Sequence, residues 1–344
     1  MLRYLGAFTL ASMACITPVF AQDEPSRIVA TTTQASDLIR VLTADLPPGT
    51  LALTALMGSG VDPHLYLPTE ADIRAIQEAD AVFYSGLHLE GQFGEVFANL
   101  SNRGIATHAL SEPVERAGYI IGGFTLSERY QNVADPHFWF DPRNWQMSAT
   151  YATDALVQLL PDHRGPIEEN AIEYAATLST LFTWAEQAMA VVPEQQRVLV
   201  SSHDAFQYFG AAFGWQVRGL QGISTEDEAG VADIQQLVEF VMEREIPVIF
   251  VESSVPPDAI EAVQEAVRAN GGRVRLGIQT LYSDAMDAPE HYGGRYPGML
   301  ISNILIILES YRCAGIDLTI PPVPEELAEG LPAELAQPDC AVID

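Results

Sequence analysis

Short apolar runs alternate with helical segments twice along this chain, once on either side of a long helical stretch, and few folds accommodate that order. On the N-terminal side, residues 28–32 read as a strand and 33–44 as a helix whose start signal is Ser36 or Asp37. Residues 51–56 form the next strand, and Thr69 followed by Asp72 signals a capped helix running to Ala79. Residues 81–84 are a buried strand. From about 144 to 192 the pattern is helical, and only 162–166 breaks it. Pro166 fits an early helical position, and Ile167, Ala171, Tyr174, Leu178, Leu181 and Trp184 recur on one face. The alternation resumes with a strand at 198–202, helices from 205 and over 231–244, a strand at 248–251 and a helix at 258–270 closed by Gly271-Gly272. A short strand at 273–276 and a large helix at 299–311 complete it.

This order predicts an α/β fold of two lobes, each a mainly parallel sheet flanked by helices, joined by one long rigid helix. The expected boundaries are 22–160 for the N-terminal lobe, 161–194 for the connecting helix and 195–344 for the C-terminal lobe. Residues 1–21 stand apart. Arg3 precedes an apolar run ending at Phe20, Ala21 closes a small-residue cleavage site, and Gln22-Asp23-Glu24 follows. That is a secretory signal peptide cleaved after Ala21, so the mature chain is expected in the periplasm. A retained anchor and acylation of Cys15 are the lesser readings. Export puts the remaining cysteines, Cys313 and Cys340, in an oxidising compartment, where a pair would staple the C-terminal tail to the last helix.

Charge excludes one class of partner. The net charge is −29, and all 17 formally cationic residues are arginine. Such a surface repels nucleic acid and offers no basic stripe for phosphates.

Three of the seven histidines share a context. His64 ends Asp62-Pro63-His64, His137 ends Asp135-Pro136-His137, and His203 lies in Ser201-Ser202-His203-Asp204. Each follows a strand or turn, where ligands bind in open α/β sheets, and together they divide between the two lobes. Proline stiffens the backbone before two of them, and a nearby carboxylate can take a ring N–H and set the tautomer. The residues do not say which carboxylate serves which ring. His88, His108, His163 and His291 lack this context and read as structural or surface residues. Three neutral imidazoles leave a divalent ion with its full charge, so a carboxylate ligand is expected. Asp284, in Leu281-Tyr282-Ser283-Asp284, is the candidate, although on residues alone an ordinary cap or loop role is the stronger reading.

In combination these segments resemble the metal-binding solute-binding proteins of ABC importers, the manganese and zinc uptake family. The other carriers of the resemblance are Gly86-Leu87-His88-Leu89-Glu90, Phe138-Trp139-Phe140-Asp141-Pro142, Ala205-Phe206 and Gly222-Ile223-Ser224-Thr225-Glu226, and it extends from Ile28 to about Ile316. The resemblance implies a metal held between two lobes by His64, His137, His203 and Asp284. It implies Zn2+ or Mn2+ as transported ligand, an ABC permease as partner, and contact with the membrane only through that permease. The protein is taken as a monomer and not an enzyme. Zinc-uptake members often carry a histidine-rich loop before the second ligand, but residues 114–134 contain no histidine. Manganese members often place glutamate where this chain has His203, so both cargoes stay open.

Three rival readings compete. A zinc hydrolase would need an open coordination position and a base such as Glu226 or Glu252, and no His-Glu-x-x-His helix is present. A surface adhesin would use the metal only for stability. A binder of organic solutes would expose aromatic clamps, whereas Trp139 and Trp145 are expected to pack near the second ligand.

Overall fold

The computed structural model describes residues 24–100, 104–125, 131–336, 338 and 340. The expected signal peptide and Cys15 lie outside them. The first lobe contains β1 (Ser26–Ala30), α1 (Thr33–Leu42), β2 (Leu51–Ala55), α2 (Glu70–Gln77), β3 (Ala81–Tyr84), α3 (Gly94–Leu100), β4 (Ala106–Ala109) and α4 (Glu112–Ala117). Its four strands form a parallel sheet in the order β2-β1-β3-β4. β3 is almost wholly apolar and buried, as an interior parallel strand covered on both faces must be. A hairpin of β5 (Gly122–Thr125) and β6 (Gln131–Ala134) leads into α5 (Pro142–Leu159) and then α6 (Arg164–Met189).

The second lobe contains β7 (Val198–Ser201), α7 (Gln207–Phe213), β8 (Gln216–Gly219), α8 (Val231–Glu243), β9 (Val248–Ile249), α9 (Asp258–Ala269), β10 (Arg275–Leu276), α10 (Tyr296–Cys313) and α11 (Ala333–Ala336). β8 pairs in parallel with β7 and β10 with β9, while a parallel bridge from Ser201 to Phe250 links the two pairs. A further bridge joins Glu252 to Leu281. This is the predicted parallel sheet, broken into short pieces.

Local signals explain most boundaries. Thr69 and Asp72 cap α2 reciprocally, each side chain bonding the other's backbone N–H. α1 begins at Thr33, but its start signal lies earlier than expected. Thr32, rather than Ser36 or Asp37, is the cap, and its side chain accepts the N–H of Ala35 at 3.2 Å. α6 has 26 residues and so spans about 39 Å. Of its predicted face, Ile167, Tyr174, Leu178, Leu181 and Trp184 are buried, and Ala171 is half-buried. α10 is buried on nearly every side, which suits its apolar sequence. Among the described residues no helix is long and apolar enough to cross a membrane.

One continuous core runs from Ile28 of β1 through Trp145 of α5, Leu178 of α6 and Ile304 of α10 to Leu199 of β7. The lobes therefore share packing along their back. A smaller core lies between β7, β9, α8 and α9, with Val200, Ile249, Leu237 and Val263 at its centre. Cys313 at the end of α10 is disulfide-bonded to Cys340, with Cα atoms 5.2 Å apart. The tail is thus tied to the last large helix, as expected from the oxidising compartment.

Asp37 joins the lobes at a cost. It is buried in α1 and accepts the backbone N–H of Tyr296 at the start of α10 at 2.9 Å. Burial outweighs that bond and pushes its carboxyl up to about 6. A carboxyl whose folded pKa is raised favours the fold in acid, and that stability is lost as pH rises from about 4 past 6. Asp37→Asn removes this titration. Its stability relative to wild type should rise by about 1.4 kcal/mol between pH 5 and pH 7.5, read from urea unfolding at the two values. A pH-independent difference would show that Asp37 does not titrate in this range.

Candidate metal centre

Loops that follow strands in the two lobes meet at a cleft, the expected place for a ligand in such sheets. His64 comes from the loop between β2 and α2, and His137 from the segment between β6 and α5. His203 follows β7, and Asp284 follows the segment bridged to Glu252. All four side chains are buried, and their ligand atoms lie within 4.8 Å of one another. His137 Nε2 is 3.3 Å from His203 Nε2 and 3.1 Å from Asp284 Oδ1, while His203 Nε2 is 3.4 Å from Asp284 Oδ2. Ligands at ordinary zinc distances around a tetrahedron are separated by about 3.3 Å, so the spacings among His137, His203 and Asp284 suit one small ion, with His64 within 4.8 Å of them.

Two imidazoles are aimed by buried carboxylates. Asp135 Oδ1 accepts the backbone N–H of His137 at 2.9 Å and lies 2.7 Å from its Nδ1. Glu252 accepts the backbone N–H of His203 with Oε1 at 2.8 Å, and its Oε2 lies 2.5 Å from Nδ1. Each carboxylate fixes the tautomer that leaves Nε2 facing the centre. Gly219 lets the second arrangement form, because a Cβ there would sit 2.6 Å from the carbonyl carbon of His203. Trp139 packs edge-on against His137, with ring centroids 5.3 Å apart. Trp145 lies one layer back, stacked on Tyr296 and donating its indole N–H to Tyr174. Asp284 is held by Ser254, whose hydroxyl donates to Oδ2 at 3.2 Å, and by Gln34, whose amide donates to the Asp284 carbonyl at 3.0 Å.

His64 Nε2 is buried without a hydrogen-bond partner, and Asp284 Oδ1 is buried with only the His137 ring nitrogen beside it. Polar atoms left this way are costly, and a ligand that both face resolves the cost. The electrostatics agree. Burial would lower His137, but Asp135 and Asp284 outweigh it and hold the ring at about 9. Burial likewise opposes the charge on His203, yet Asp284 and Glu252 keep it well above its ordinary value. Asp284 would be raised by burial, but His203 and His137 hold it well below the usual carboxylate range. Burial takes His64 down to about 3, leaving a neutral donor. The centre is thus built around a carboxylate that demands positive charge, and protons compete with a cation for the same nitrogens.

The other histidines lie elsewhere. His88 and His291 are exposed, His163 is half-buried, and His108 stacks on Phe83 in the first sheet. The loop bearing His88 has its own logic. Leu87 and His88 adopt positive φ, and Glu90 holds the turn by accepting from Thr31, Ser85 and Gly86. From sequence Glu252 reads only as a candidate base, yet it buttresses His203. Its place directly after the apolar run 248–251, as His203 follows the apolar run from 198, is the available signal. Glu226 stands exposed at the rim near Gln92.

Replacing Asp135 by asparagine keeps the shape but removes the charge that orients His137 and raises its basicity. Zinc affinity should fall by roughly 10–100-fold in competition with a chelator. An unchanged affinity would mean that Asp135 does not tune this ring.

The model of the periplasmic zinc-uptake complex component A family, ZnuA, matches residues 28–310. The zinc-binding protein TroA of Treponema pallidum is 37% identical over 284 residues, 83% of this chain and 88% of TroA. The manganese-binding lipoprotein MntA of Bacillus subtilis is 36% identical over 290 residues, 84% of this chain and 91% of MntA. The solved structure of T. pallidum TroA, a periplasmic zinc binding protein, matches with a TM-score of 0.76 at 36% identity, over 83% of this chain and 99% of that one. With this fold, this cleft and these relatives, the chain belongs to the periplasmic zinc-uptake component A family, the metal-binding substrate-binding proteins of ABC importers.

Proposed function

We propose that this protein captures one divalent transition-metal ion between its lobes through His64, His137, His203 and Asp284 and delivers it to an ABC permease. The observation that carries the reading is the convergence of four buried ligand atoms within 4.8 Å, from four separate loops. His64 and His137 come from the first lobe, and His203 and Asp284 from the second, so the ion would cross-link them. Family membership makes the chain a binding component rather than an enzyme, working outside the cytoplasmic membrane. The lobe boundaries at 22–160 and 195–344, the connection at 161–194, the monomeric state and cleavage after Ala21 belong to the same proposal.

The cargo is zinc or manganese. Relatives named for each metal are almost equally similar, TroA at 37% and MntA at 36% identity. Three imidazole nitrogens and one carboxylate suit zinc, and intrinsic affinity for such donors runs higher for zinc than for manganese. The continuous core across the back of the lobes supports a small opening movement. Titration of chelator-stripped protein with zinc and manganese in parallel tests the reading. One ion per chain, zinc tighter than manganese, is expected. Binding of neither ion would overturn it.

A further inference from the structure

The two Asp-Pro-His segments hold their histidines differently, and the difference singles out a residue in the opposite lobe. In the second segment, Asp135 Oδ1 serves both the backbone N–H and the ring of His137. In the first, Asp62 Oδ1 accepts the backbone N–H of His64 at 2.8 Å, but Oδ2 accepts the hydroxyl of Thr225 at 2.5 Å. Thr225 is buried and lies between β8 and α8, across the cleft. Nearby, Gln92 approaches Glu226 at 3.5 Å, and the backbone at Gly60 runs close to the Ser253 carbonyl. The carboxylate that positions His64 is therefore itself positioned from the second lobe.

We infer that Thr225 is a positioning residue for metal capture: its hydroxyl latches Asp62 across the cleft, and breaking that bond frees the His64 loop. The inference rests on the ligand set proposed above. His137 and His203 are gripped by carboxylates on their own side of the cleft, Asp135 and Glu252. His64 depends on the lobes being together. When they part, Asp62 loses its outer partner, and the loop between β2 and α2 is the ligand-bearing segment that loosens. Release then begins at His64, while the other ligands keep their orientation.

The test is the rate at which zinc-loaded protein yields its metal to excess chelator, by stopped flow, for wild type, Thr225→Val, Thr225→Ser and Asp62→Asn. Thr225→Val keeps the shape and removes the hydroxyl, so release should speed up roughly tenfold or more, within the range for loss of an outer partner. Thr225→Ser restores the hydroxyl and should release like wild type. Asp62→Asn should release at least as fast as Thr225→Val, and adding Thr225→Val to it should change nothing further, since the two act through one bond. Wild-type rates in Thr225→Val or in Asp62→Asn, fast release from Thr225→Ser, or equal acceleration by Thr225→Val in both backgrounds would each overturn the latch. Failure of the ligand set is separately visible, because wild-type protein would then hold no zinc to release.

Discussion

His203→Ala should lower zinc affinity by more than roughly a hundredfold, beyond what the loss of an outer partner costs, because it removes one of the four proposed donors. The expected readout is competition with a chelator of known affinity on stripped protein. His203 turns its Nε2 toward the centre and its Nδ1 to Glu252, so the substitution also leaves the buried Glu252 Oε2 without its ring partner, while Oε1 keeps the backbone N–H. Some of the fold's stability should go with it, of the order of 1–3 kcal/mol for an unsatisfied buried group. His64→Ala separates the two effects. Its Nε2 has no hydrogen-bond partner in the fold, so that variant should lose metal with little loss of stability. Near-wild-type zinc affinity in both variants would remove these residues from the site.

Cutting the disulfide should cost the fold about 3.5 kcal/mol, the closure entropy of a loop with a separation of 27 residues. For a chain of this size that corresponds to a fall in melting temperature of roughly 5 °C. Cys340→Ser should show the shift without reductant, and wild type should show it only with reductant. The bridge anchors a tail whose contribution to the core includes Leu327 and Leu335, so its effect extends beyond the last few residues. A change below about 1 kcal/mol would mean that the tail is held well enough by packing alone to make the bond redundant.

Much of the fold was legible because periodicity and burial agree over long segments. The strand at 81–84, the capped helix after Thr69 and the long helix each carry a pattern that only one element satisfies. What was missed is short. β4, β8, α3, α4 and the β5–β6 hairpin offer too few residues for a period, and pairing partners distant in sequence decide them. The cap of α1 was missed because Thr32 reads as the last residue of a strand, whereas its hydroxyl already serves the helix.

The centre was legible in a different way. His64, His137 and His203 announced themselves by context, and Asp284 rose above an ordinary loop aspartate only through the family resemblance. The supporting residues were harder. Glu252, Ser254, Gln34 and Thr225 act through bonds to residues as many as 250 positions away. No local spacing records such contacts. They arise when the sheets bring separate loop ends into one cleft, and they turn four scattered donors into a preorganised site.

The most direct test is anomalous diffraction at the zinc edge from crystals of the zinc-loaded protein. The proposed ligand set predicts one strong peak, at about 2.0–2.2 Å from the Nε2 atoms of His64, His137 and His203 and from a carboxylate oxygen of Asp284. A peak outside the cleft, or one in the cleft that leaves any of the four without a bond to the metal, would contradict it.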